Sequence, residues 1–196
     1  MADAERMSRD ARPAGGFGAP DAAQPGAECS FRPVCRPAQV LADGDAKAIL
    51  AEGDYGCLAV EGDNGYPYAV PMAYVYDAAE NRIYFHGAVS GAKSDGLERN
   101  SKVCFSVVGR YRVVPEEYTC LYRSVIAFGR THEVKSREAK ISVLMRFVDK
   151  YSPGLEAGGR RNADRAVDRI RAYWIDVEDL RGKRSSKDPA SAGTGR

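Results

Sequence analysis

The segment YPYAVPMAYVY, residues 66–76, restricts the possible folds more than any other part of the chain. Tyr66, Tyr68, Val70, Met72, Tyr74 and Tyr76 fall on one face at the two-residue period of a β-strand, and Pro67 and Pro71 fall on the other. Proline cannot donate to a β-ladder, so this strand must run along a sheet edge or bend near Pro71. Before it stand the apolar run CLAVE (57–61) and the turn Gly62-Asp63-Asn64-Gly65. Asn-Gly is a tight-hairpin pair, so the two runs should be antiparallel neighbours.

The same alternation recurs in RIYFHGA (82–88), KVCFSVVG (102–109), RSVIAFGRTHEV (123–134) and AYWIDVEDL (172–180). Helical patterns interrupt it. Residues 43–52 suggest a short helix with Asp43 as N-cap. Residues 91–100 suggest a short polar helix. In 137–151, Ile141, Leu144, Met145 and Val148 follow the i, i+3, i+4, i+7 spacing. The predicted fold is mainly β (α+β), with about six antiparallel strands closed as a small barrel and two or three short helices.

Flanking this region, residues 1–37 and 185–196 are rich in Ala, Gly, Pro and Ser and lack periodicity. They are expected to be disordered tails, leaving 38–184 as one domain. A chain of 196 residues can bury one real core. Its formal net charge of +2 offers no general attraction for a polyanion, so no nucleic acid partner is expected. No apolar run approaches the ~18 residues of a membrane span, and no hydrophobic stretch follows MADAERMSRD as in a secretory signal. The five cysteines include no C-x-x-C pair, and their odd number fits a disulfide framework poorly. Cys57 and Cys104 lie within apolar runs, as small core residues do. A reducing, cytoplasmic setting is the expectation. His86 and His132 have no carboxylate at metal-ligand spacing, so no metal site is expected.

The chemistry concentrates in IYFHGAVSGAKSDGL, residues 83–97. A strand ends at His86. Small residues follow at Gly87, Ala88, Ser90, Gly91 and Ala92, and a helix opens with Lys93 in its first turn. Small residues admit a ligand close to the backbone, and a helix N-terminus with a lysine favours an anion. Phosphate is the natural candidate, although many such turns bind nothing. His86, alone at a strand end, reads equally as a satisfied structural residue. Arg123 is either an anion clamp or a rim ion pair. No G-x-S-x-G, Walker-type or G-x-G-x-x-G motif is present, which argues against a hydrolase or a P-loop enzyme.

The order GYPYAVPMAYVY, RIYFHGAVSGAKSDGLERNSKVCFSV, YRSVIAFGRTHEV resembles the 5-nitroimidazole resistance (Nim-type) proteins. These belong to the pyridoxamine 5′-phosphate oxidase-like class of FMN-binding split β-barrels. The resemblance implies a six-stranded antiparallel split barrel over 38–184 and a homodimer with flavin at its interface. It implies that Ser90 and Lys93 hold the FMN phosphate and that Val70, Pro71 and Met72 run along the flavin ring. Tyr84, Phe85 and His86 would line the isoalloxazine and ribityl region, with His86 hydrogen-bonding a substrate oxygen or supplying a proton. Arg123 and Ser124, in the YRS segment, would lie near the site or the dimer contact. Where the family often carries Asn, this chain has Ala73, which leaves the acceptor open. The implied activity is a flavin-dependent reductase acting between a reduced nicotinamide and a small acceptor such as a nitroimidazole. Pyridoxamine 5′-phosphate oxidation, a deazaflavin coenzyme, and a non-catalytic flavin or haem module with His86 as axial ligand are the alternatives.

Overall fold

The structure is a computed structural model that describes residues 31–188. The expectations for residues 1–30 and 189–196 lie outside the described residues. Seven strands and four α-helices follow one another in the order α1 (Asp43–Glu52), β1 (Tyr55–Glu61), β2 (Pro67–Ala73), β3 (Val75–Asp77), β4 (Arg82–Ala88), α2 (Ala92–Arg99), β5 (Lys102–Val114), β6 (Thr119–Val134), α3 (Arg137–Tyr151), α4 (Glu156–Ala166) and β7 (Ile170–Arg184). The strands form one antiparallel sheet in the order β2-β1-β5-β6-β7-β4-β3. No helix among the described residues is long and apolar enough to cross a membrane.

Six strands were expected and seven are found, because YPYAVPMAYVY divides at Tyr74. Its first part pairs with β1 at one end of the sheet, and its last part pairs with β4 at the other. One residue joins the two outermost strands, so the sheet must curl until its edges meet. The result is a barrel with a split between β2 and β3. Tyr74 makes the break possible. Its N–H donates to the Tyr151 hydroxyl at 3.1 Å, and its carbonyl accepts from that hydroxyl at 2.6 Å and from Lys150 Nζ at 3.3 Å. Side chains of α3 thus satisfy the backbone groups that no strand can reach. Pro67 and Pro71 lie on the edge strand, where an absent N–H costs nothing.

Alternation along the strands fills the interior. Leu58, Ile83, Phe85, Phe105, Val125, Ala127 and Ile175 are fully buried, and Leu50 of α1 reaches in among them. The aromatic stripe is not uniform: Tyr74 and Tyr76 are buried, while Tyr66 and Tyr68 at the hairpin end are exposed. That hairpin has the expected turn, with φ of 55° at Asn64 and 77° at Gly65. Asp43 is not the N-cap of α1. It is the first helical residue, and Lys47 holds its carboxylate at 2.8 Å.

Three regions exceed the sequence expectation. β5 and β6 continue outward as a two-stranded arm around the turn at Pro115–Glu117, leaving Tyr111, Val113 and Tyr118 exposed. The helix α4 is built from the polar, glycine-bearing EAGGRRNADRA, which shows no apolar stripe. Residues 185–188, assigned to a tail, fold back on β6: Ser185 N–H donates to the Tyr122 carbonyl at 3.0 Å, and Asp188 pairs with Arg123.

Two substitutions test this frame. Tyr74→Phe strands the buried Leu50 carbonyl that its hydroxyl meets at 2.7 Å. Chemical denaturation should show a loss of about 1–3 kcal/mol with little change in m-value. Gly129 sits at the register shift between β6 and β7, where a Cβ would fall 2.1 Å from the Asp176 carbonyl oxygen. Gly129→Ala should therefore cost more than Gly44→Ala, where the Cβ meets open space.

Candidate functional site

β4 carries the apolar alternation of a central strand and ends in small residues. Ile83 and Phe85 point into the barrel, and Phe85 stacks on Tyr173 with centroids 5.1 Å apart. Tyr84 and His86 face the other way, toward α3. Tyr84 is buried beneath that helix, donates its hydroxyl to Glu80, and lies under the Arg146 guanidinium at 4.4 Å. The His86 ring meets the edge of Phe147 at 4.8 Å. Tyr84 and Phe85 were expected to line an isoalloxazine and ribityl region; in this structure both side chains are buried. Phe85 belongs to the core.

Beyond β4 the chain opens. Val89 and Ser90 are exposed, and Gly91 has φ 127°, a conformation in which a Cβ would be strained. Gly91 is the N-cap of α2, and no side chain caps that end. The first-turn N–H groups, the exposed Ser90 hydroxyl and the positive pole of the helix all lie at this point. Lys93, on the first turn, runs back across Gly87, where a Cβ would lie 2.3 Å from its Nζ. That Nζ donates to the His86 carbonyl at 3.2 Å and stands 5.6 Å from the Phe85 ring centre. Partial burial lowers the Lys93 pKa. Burial, and next the Lys93 charge, lower that of His86. The imidazole is therefore neutral near pH 7.

Residues that sequence reasoning passed over hold the loop in place. Ser94 is buried and donates to the Ala88 carbonyl at 3.2 Å. Gly96 lets α2 settle on β1, since a Cβ there would meet the Glu61 carbonyl at 2.3 Å. Arg171 of β7 grips Glu133 with two nitrogens, at 2.8 and 2.9 Å, and also pairs with Glu98 of α2. Hydrogen bonding from Arg171 holds the Glu133 pKa down at about 2. The only local signal for this anchor is an arginine at a strand start.

The remaining predicted residues divide. The helix α2 packs on β1 and β2, with Gly96 against the carbonyl of Glu61, which pairs with Pro67; Val70, Pro71 and Met72 lie further along β2, opposite Leu58, Cys57 and Gly56. Pro71 is exposed on the edge strand, whereas Val70 and Met72 turn toward the core. Arg123 and Ser124 are not brought to the site within one chain. Register places His86 opposite Ala172 and Arg123 opposite Arg184. At about 3.3 Å per residue, that separation along β7 is roughly 40 Å. Arg123 is instead bound to the Asp188 carboxylate at 2.5 Å.

The family model described as pyridoxamine 5′-phosphate oxidase matches residues 42–184. The chain belongs to this family. A candidate 5-nitroimidazole antibiotic resistance protein from Bacteroides thetaiotaomicron shares its fold at TM-score 0.61 and 22% identity, over 74% of this chain and 86% of that one. An FAD and haem binding protein from Mycobacterium smegmatis matches at TM-score 0.65 and 20% identity, over 79% and 76%. The flavocytochrome Anf3 from Azotobacter vinelandii matches at TM-score 0.62 and 22% identity, over 74% and 67%. A comparison with curated proteins gave no match.

The electrostatics yield a direct test. With His132→Gln to simplify the spectrum, His86 should titrate below 6.5 by NMR. Lys93→Met should move it part of the way back, because burial remains. A histidine whose folded pKa is depressed takes up its proton more readily unfolded. Its contribution to stability is thus complete above pH 6.5 and is lost as pH falls toward the folded pKa.

Proposed function

We propose that this protein binds FMN and acts as a flavin-dependent reductase, passing electrons from a reduced nicotinamide to a small acceptor such as a nitroimidazole. The observation that carries the reading is the uncapped N-terminus of α2, opened by Gly91 and charged by Lys93, at the end of β4. The donor set fits a phosphate monoester: backbone N–H groups, the Ser90 hydroxyl and one ammonium, with open space where a Gly91 Cβ would be. Bound flavin would supply the hydride chemistry, which accounts for the lack of a catalytic triad. Ser90 and Lys93 bind the phosphate. The edge strand β2, around Val70, Pro71 and Met72, offers backbone groups to the ring. His86, neutral near pH 7, accepts or passes a proton at a ring nitrogen. Flavin-binding proteins among the structural neighbours support the reading.

A homodimer belongs to the same proposal. The exposed Tyr111, Val113 and Tyr118 of the β5–β6 arm suit burial against a second copy, and only a partner can bring Arg123 and Ser124 near His86. The free cysteines suit the cytoplasm. Oxidation of pyridoxamine 5′-phosphate is disfavoured. That substrate needs its own phosphate clamp, and Arg171, paired in register with Gly87, is engaged by Glu133 and Glu98.

The purified protein should show flavin bands in the near-UV and blue, and its extract should contain FMN. A Soret band without flavin would instead mark a haem module. Removing the charge-assisted contact in Lys93→Ala should weaken FMN binding roughly 10- to 100-fold, on the ~1.5–3 kcal/mol such bonds contribute. Full affinity in that variant would sink the phosphate assignment. Flavin that no reduced nicotinamide bleaches under anaerobic conditions would sink the reductase reading while leaving the cofactor site standing.

A further inference from the structure

Behind His86, on the face of β4 turned away from the barrel interior, lies a cleft of about 270 Å³ between α3 and α4. Leu144, Phe147, Val148 and Tyr151 of α3 form one wall. Ala163 and Ala166 of α4, with Ile170, form the other. At Gly159 the helices approach so closely that a Cβ would lie 2.5 Å from the methyl groups of Val148, which fixes the width of the cleft beside it. We propose that this cleft is a binding site for a small, neutral, single-ring aromatic molecule that hydrogen-bonds to His86. It goes beyond the reductase reading and stands if that reading fails.

Three observations define the ligand. The first is size: an apolar cavity of roughly 150 Å³ holds benzene, so a cleft of about 270 Å³ accommodates one ring with small substituents. The second is charge. No Asp, Glu, Lys or Arg lines the cleft, and a charge placed there would lose its hydration without gaining a partner. The third is polarity. Among the described residues neither ring nitrogen of His86 has a hydrogen-bond partner, although the ring is half-buried and held edge-on by Phe147. The Tyr151 hydroxyl is already committed to the carbonyls of Asp54 and Tyr74 at 2.8 and 2.6 Å. The neutral imidazole is therefore a polar group of the cleft with capacity to spare, one nitrogen as donor and the other as acceptor, beside Ser152 and Asn162 as the other polar side chains of the lining. A largely apolar cleft with a few placed polar groups is the usual build of a small-molecule site.

The test uses the full-length protein with methyl and imidazole NMR, titrated with phenol, toluene, benzoate and benzylammonium as probes. Phenol should saturably shift the methyls of Leu144, Val148 and Ile170 and the His86 ring, and each charged probe should bind at least about tenfold more weakly. His86→Phe should weaken phenol but not toluene. Ala166→Phe, which fills the cleft, should abolish both. Asn162→Trp at the exposed rim repeats that test without touching the interface between the helices. The proposal is overturned if phenol gives no saturable shift, if its shifts lie elsewhere, if benzoate binds as well as phenol, or if both blocking variants, still folded, leave binding unchanged.

Discussion

Tyr74 is the point on which the barrel depends. A strand that must end at one edge of a sheet and resume at the other needs a residue whose backbone groups leave the ladder without being stranded. The Tyr151 hydroxyl and Lys150 ammonium satisfy those groups from α3, and the Tyr74 side chain is itself buried and bonded to the Leu50 carbonyl of α1. One residue thereby ties both sheet edges, the helix that plugs the barrel and the helix that covers its flank. Lys150 also donates to the Gly53 carbonyl, just before β1. The closure is polar at its joint, while the interior it encloses is apolar.

The same closure positions the site. β4 lies next to last in the sheet, with barrel core on one face and α3 on the other, so its alternation sends Phe85 inward and His86 outward. Lys93 bridges these environments by crossing Gly87, and its charge is felt by the imidazole through the strand. Glu98 and Glu133 hold α2 through Arg171. The loop between the two elements can stay open because rigid elements fix both of its ends.

Much of this was legible in the sequence where a period or a special residue carried it. The Asn64-Gly65 turn, β4 with its bounds, α2 to within a residue and α3 all follow from alternation, helical spacing and glycine placement. The small residues of 87–92 and the start of α2 beside Lys93 follow from the same local chemistry. What could not be read depends on contacts distant in sequence. Nothing local in EAGGRRNADRA announces α4, because its glycines serve close packing on Val148 rather than helix propensity. The outer halves of β5 and β6 carry no clean alternation because neither face is buried. Phe85 and His86 are adjacent in a promising motif, yet only one of them faces outward.

The sequence by itself determined the strand and helix periods, the edge character of the proline-bearing strand and the small-residue loop that leads into α2, since each is a property of neighbouring residues. It also carried the family, through the order of its motifs. The tertiary structure decided that one apparent strand is two, that Arg123 and Ser124 lie far along β7 from His86, and that the imidazole faces an apolar cleft between helices. Those outcomes arise from closing a sheet on itself, which joins residues that no local pattern connects.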